Sequence, residues 1–85
     1  EEEVAEFLSI SPNPVKGKLR FEIPEGKVLK KIYIYNTSGK LLRTDLYNGL
    51  TGKGTCQTNE LAPGTYIFRF NFEGAKDYQA RVIKL

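Results

Sequence analysis

Tyr66, Phe68, Phe70 and Phe72 recur at every second position, with Ile67, Arg69 and Asn71 between them. Side chains two residues apart share one face of a strand, so this stretch is a strand with one wholly aromatic face. Each ring buries roughly 150–250 Å², which demands a second layer over it and places the strand in the middle of a core. Just upstream, Ala62-Pro63-Gly64-Thr65 carries turn chemistry. Proline presets φ at about −65° and glycine accepts positive φ, so a type II turn is expected with Pro63 at i+1 and Gly64 at i+2.

Eighty-five residues make one domain, and 40% hydrophobic content with five Phe and five Tyr supplies a core and argues against disorder. No apolar run approaches the ~20 residues of a spanning helix, and no charged-then-apolar signal segment opens the chain. Met is absent throughout, so a processed product or a piece of a longer protein is expected. Glu1, Glu2, Glu3 and Glu6 crowd the start; beyond them thirteen Lys/Arg face six acids, a charge of +7. A basic body suits nucleic acid, an anionic glycolipid or an acidic partner. It equally suits lysines that keep exposed strands from pairing edge to edge. The second reading is preferred, because no nucleic-acid motif accompanies the charge. Cys56 is alone, which rules out an internal disulfide and suggests a small buried thiol.

Residues 1–6 read as the end of a linker, and 7–85 as a single domain. Phe7, Leu8 and Ile10 suggest a short first strand, stopped by Ser11-Pro12-Asn13-Pro14, where Asn13 suits an Asx-turn. Gly17 adds a flexible joint. Leu19, Phe21 and Ile23 alternate with Lys18, Arg20 and Glu22 in a second strand. Residues 28–36 form a third, with Ile32 and Ile34 on one face and Tyr33 and Tyr35 on the other, as in a strand inside a sheet. Thr37-Ser38-Gly39-Lys40 is a hairpin loop with Gly39 left-handed. The return strand, 41–47, ends at Asn48-Gly49, a turn dipeptide, and Gly52 and Gly54 loosen the next stretch of chain. A short strand, 54–58, carries Cys56. After the aromatic strand, Glu73-Gly74-Ala75-Lys76 reverses the chain and 77–85 closes it. Seven strands with no helical periodicity predict an all-β antiparallel sandwich, with a closed oligonucleotide-binding barrel as the alternative.

The chain has no His, which removes the commonest general base and metal ligand and excludes Cys-His and Ser-His-Asp constellations. Its acids lack the grouped spacing of a calcium loop, and Glu22, Glu25, Asp45, Glu60, Glu73 and Asp77 are scattered rather than paired in one cleft. No glycine opens a helix to hold a phosphate. No enzyme, metal or cofactor is expected. Tyr66-Ile67-Phe68-Arg69-Phe70 has the composition of a base-stacking platform but lacks the Gly-aromatic core and the helices of such folds, so Phe68 and Phe70 are assigned to the core. Tyr33, Tyr35, Tyr47 and Tyr78 read as half-buried strand residues, although tyrosines also suit interfaces.

Three pieces then fit one pattern. Pro12-Asn13-Pro14 with Gly17 opens it, Ile34-Tyr35-Asn36-Thr37-Ser38-Gly39-Lys40-Leu41 comes second, and Leu61-Ala62-Pro63-Gly64-Thr65-Tyr66 precedes Gly74-Ala75-Lys76 and a basic last strand. In this order they resemble the C-terminal sorting domain (type A) of cargo proteins exported by the type IX secretion system of Bacteroidetes, over about residues 10–85. Pro12, Asn13, Pro14 and Gly17 match the first motif, and Leu61, Gly64 and Tyr66 match a Leu-x-x-Gly-x-Tyr motif. Gly74, Lys76, Arg81 and Lys84 match the terminal glycine-and-basic motif loosely, since Asp77-Tyr78-Gln79 stands where many members carry more Lys.

The resemblance implies a seven-stranded immunoglobulin-like sandwich. It implies a secretion signal read by the outer-membrane translocon after transit through the periplasm. In many members a surface sortase then removes the domain and joins the mature cargo to anionic lipopolysaccharide; others keep it. Recognition is expected at Gly74, Lys76, Arg81, Val82, Ile83, Lys84 and Leu85, while Pro12, Asn13, Pro14, Gly17, Gly39, Leu61, Gly64 and Tyr66 build the scaffold. The alternative is an immunoglobulin- or fibronectin-like accessory module binding carbohydrate or protein, which rests on fold analogy and the tyrosines. Nucleic acid is not an expected partner, and a weak homodimer through an edge strand or Cys56 stays open.

Overall fold

The computed structural model describes residues 8–85. The linker assigned to residues 1–6, and Phe7, lie outside the described residues. Seven strands follow one another: β1 (Ser9–Ser11), β2 (Lys18–Glu22), β3 (Leu29–Asn36), β4 (Leu41–Leu50), β5 (Lys53–Gln57), β6 (Gly64–Phe72) and β7 (Tyr78–Lys84). They form two antiparallel sheets, ordered β1-β2-β5 and β4-β3-β6-β7. This is an immunoglobulin-like sandwich in which β4 sits at the edge of the sheet holding β3, β6 and β7.

Strand β6 lies between β3 and β7, with Phe68 opposite Ile34 on one side and Ala80 on the other. Tyr66, Phe68, Phe70 and Phe72 are all buried on its inner face. Leu19 and Phe21 of β2 close over them from the opposite sheet, the Phe21 ring meeting Phe70 edge-on at 5.5 Å. The outer face carries Tyr33 and Tyr35, half-buried beneath the Arg69 guanidinium at 4.8 and 5.6 Å. In β3 the buried positions are Leu29, Ile32 and Ile34, a spacing no uninterrupted strand produces. A bulge between Leu29 and Lys31 inserts the extra residue and restores the inward face.

Asn48-Gly49 does not turn the chain. The return strand continues to Leu50, with Asn48 at φ 54° and Gly49 at φ 87° inside a bulge that separates the pairs Lys31–Leu46 and Leu29–Leu50. A bulge and a primed hairpin turn draw on the same positive φ, so the dipeptide announces both. Gly39 takes the hairpin position expected of it, at φ 92°. The Asn36 side chain closes that loop, its Oδ1 accepting from Ser38 N–H, Ser38 Oγ–H and Lys40 N–H at 2.9–3.0 Å.

The type II turn expected at Ala62-Pro63-Gly64-Thr65 is also corrected. Gly64 has φ 153°, far from the roughly +80° that turn needs, and it already pairs with Lys84 as the first residue of β6. The hydrogen-bonded turn comes earlier, closed by Leu61 N–H on Thr58 O at 3.0 Å.

Gly54 does not loosen its surroundings either, because it sits in the β2–β5 ladder opposite Phe21. A Cβ there would lie 2.5 Å from Leu50 Cδ2 and 2.6 Å from Phe21 Cε1 and Cζ. Phe21 is held edge-on by both Tyr47 and Phe70, so its ring has little freedom to withdraw. Gly54→Ala should therefore cost about 1–3 kcal/mol in a urea unfolding titration. An unchanged midpoint would contradict the packing.

Candidate functional site

Strand β7 is an edge strand, and an edge exposes donors and acceptors that need partners. Here the chain's own beginning supplies them. Prolines 12 and 14 lack an N–H and cannot continue a ladder. Between them the Asn13 carboxamide, a donor and an acceptor side by side, acts as a substitute peptide group. Its Nδ2 donates to Arg81 O and its Oδ1 accepts from Ile83 N–H, each at 2.9 Å. Asn13 thus reaches across the fold instead of making the local Asx-turn expected of it. Val15 resumes the pairing in the parallel sense: its N–H donates to Ile83 O at 2.8 Å and its carbonyl accepts from Leu85 N–H at 2.9 Å. The Val15 side chain is fully buried and plugs the core.

The middle motif meets the same end of the sandwich. Tyr66 O–H donates to Ala62 O at 2.5 Å, four residues back across the corner between the sheets. That is the arrangement of a tyrosine corner. Lys84 is 8% exposed and its Nζ donates to Leu61 O at 2.9 Å. Thr58, fully buried, donates through both N–H and Oγ1 to Gly17 O at 2.7 and 2.8 Å. Gly17 serves a close approach there, since a Cβ would stand 3.0 Å from Asn59 Oδ1. The first motif, the stretch 61–66 and the end of β7, far apart in sequence, are one joint in space.

The residues assigned to recognition divide in two ways. Along β7, Val82 and Lys84 point inward, whereas Arg81, Ile83 and Leu85 are exposed. Lys84 thus has a structural task that its charge conceals. Gly74 and Lys76 lie in the β6–β7 turn, at the far end of the seven-residue strand. At about 3.3 Å per residue they stand roughly 20 Å or more from Leu85. They do not share one patch with it.

A polar cluster that sequence reasoning missed spans the gap between β4 and β5. Arg43 Nε and Nη2 donate to the two oxygens of Asp45 at 2.9 and 3.0 Å, and Nη2 also donates to Gln57 O at 2.6 Å. Tyr47 O–H donates to Thr55 O at 2.9 Å. Asp45 is therefore an ion-pair partner inside a strand rather than a solvated strand-end charge. The pattern Arg-x-Asp on one side of a strand was the available signal.

Cys56 is buried beside this cluster, its thiol 3.3 Å from Asp45 Oδ2. Burial, and next the Asp45 carboxylate, push the thiol up to about 11 from an ordinary 9.0. A thiol so placed is inert at neutral pH. The folded state holds its proton more tightly than the unfolded state, so this stabilisation is complete below pH 9 and is lost as pH rises toward 11. Tyr47 moves in the same direction, first through burial. Melting temperature should fall across that window and fall less in Cys56→Ala, measured relative to each protein's own value at pH 8. Equal slopes would contradict the assignment.

Asn13→Ala removes both side-chain bonds to β7 and should cost about 1–3 kcal/mol. Amide exchange at Ile83 should accelerate, while exchange at Phe70 changes only by the global loss. Unchanged exchange at Ile83 would contradict the clamp.

Fold and joint together define a class: a small all-β sandwich whose N-terminal segment and C-terminal strand are tied along one edge. Within that class, the chain belongs to the secretion system C-terminal sorting domain family, whose model matches residues 9–84. It is a sorting signal of the type IX system, which delivers proteins across the outer membrane to the cell surface or beyond. Comparison with curated proteins gives no match.

Proposed function

We propose that this domain carries its parent protein through the type IX outer-membrane translocon and that the outward row of β7, Arg81, Ile83 and Leu85, is the part the machinery reads. The observation that carries the first half is the family match over residues 9–84. The second half is supported by exposure. These three side chains have no packing role in the core, whereas Val82 and Lys84 are turned inward and fix the strand's orientation. Gly74 and Lys76 are the remote end of the same signal. After export, a surface sortase removes the domain near the junction of residues 1–6 with the sandwich, and the cargo is joined to anionic lipopolysaccharide.

The chain fused behind a signal peptide and a reporter should bring the reporter to the surface of a type IX-competent cell, accessible to added protease. Periplasmic retention would overturn the export reading. Mass spectrometry of the surface form should find peptides of the reporter and none from residues 8–85. Their presence would overturn sortase removal and leave export intact.

A further inference from the structure

Each sheet edge must be protected or paired, and three of the four edges have visible protection. Strand β1 has three residues and runs into Pro12. Carbonyls of β5 are engaged by Arg43 and Tyr47. Strand β7 is clamped by Asn13 and Val15. Strand β4 differs: it has ten residues, no Lys or Pro, and β3 as its one ladder neighbour among the described residues. Its two charges, Arg43 and Asp45, are bonded to each other at 2.9 Å, and Arg43 is further engaged with Gln57 O of β5. Leu41, Leu42 and Leu46 stand 47%, 43% and 73% exposed along it. A long apolar edge of this kind is a template for strand addition.

We infer that β4 pairs with β4 of a second copy of this chain, antiparallel about a two-fold axis through Thr44. Residues 42–46 read Leu-Arg-Thr-Asp-Leu, which is complementary to itself when reversed. In that register Arg43 meets Asp45 of the other copy and Thr44 meets Thr44, and Leu46 comes against Leu42 where the bulge ends the regular stretch. A two-fold contact requires one patch to complement itself, and this one does in both charge and apolarity. Centring the axis on Arg43 or on Asp45 instead opposes like charges across the ladder, which is unfavourable. Ladder residues face consistently: Arg43 and Asp45 lie opposite Ile34 and Ile32 of β3, and Thr44 and Leu46 lie opposite Tyr33 and Lys31. The joined sheet would have eight strands. The bulge at Leu42, between the pairs Tyr35–Leu41 and Ile34–Arg43, and the one after Leu46 confine the regular stretch to residues 43–46 on each side, well below the roughly 800 Å² per partner of a stable interface. The dimer is therefore weak and concentration-dependent. The contact leaves the β7 edge uncovered, so two exported copies can be paired without masking the terminal strand.

Sedimentation equilibrium of the 85-residue chain tests this, with loading raised from micromolar to millimolar. The weight-average mass should climb from one chain toward two. Thr44 is exposed, so Thr44→Lys should keep the melt and hold the mass at one chain by setting two ammonium groups face to face. Should Thr44→Lys lower the melt, Leu46→Lys alone should be monomeric, and adding Leu42→Glu should restore the dimer through two Lys–Glu pairs. A native chain that stays monomeric at millimolar loading overturns the inference. So does a dimer indifferent to Thr44→Lys, which would place the contact at another edge, or a failure of Leu42→Glu to rescue Leu46→Lys.

Discussion

Replacing Phe68 with alanine is expected to lower the unfolding free energy by about 3–5 kcal/mol. The ring is fully buried on the inner face of β6, and β6 is pinned on both sides, by β3 through Ile34 and by β7 through Ala80. A strand held by two ladders cannot shift to fill the space its side chain vacates. The loss therefore includes both the ring's transfer energy and a persistent cavity. Small domains hold only about 5–15 kcal/mol in total, so the variant should be visibly destabilised in urea at 25 °C. A midpoint shift equivalent to less than about 1 kcal/mol would contradict the placement of β6 at the centre of the core.

The second large effect is functional. Arg81→Glu combined with Ile83→Asp should abolish surface delivery of a fused reporter while changing stability by only about 0.5 kcal/mol for each substitution. Both side chains are exposed, Ile83 at 40%. The bonds that tie this strand to Asn13 and Val15 use its backbone, not these side chains. The pair thus separates what the strand presents from what holds it. Val82→Ala acts in the opposite way: it opens a buried site and should lower stability before it touches recognition.

The alternation of apolar residues made most of the fold legible. Seven strands, two layers and the aromatic inner face of β6 follow from period two and from the turn residues between runs. Errors arose where one local conformation serves two purposes. Asn48-Gly49 supplies positive φ to a bulge as readily as to a turn, and only the partner strand decides between them. Gly64 is glycine because its φ is 153° at the start of a strand, where other residues rarely go; adjacency to Pro63 made it look like a turn centre.

The site was legible as motifs but not as a joint. Nothing local in Pro12-Asn13-Pro14 says that its amide will meet Arg81 and Ile83, a separation of 68 and 70 residues. Such a contact exists only once both sheets are assembled. Composition showed Lys84 only as a basic residue on a terminal strand, and not that its buried stem and its ammonium close the corner at Leu61. The Arg43–Asp45–Cys56 cluster was hidden by treating each charge singly. The accessory-module alternative draws no support from Tyr33 and Tyr35, whose rings already lie against Arg69.

Surface delivery of the reporter, compared between the native domain and Arg81→Glu/Ile83→Asp at equal folded stability, decides whether the outer row of β7 is read during export. The native fusion should be open to external protease and the variant fusion folded but held in the periplasm. Equal delivery of both would contradict the role of the β7 outer row, and retention of both would contradict the sorting function itself.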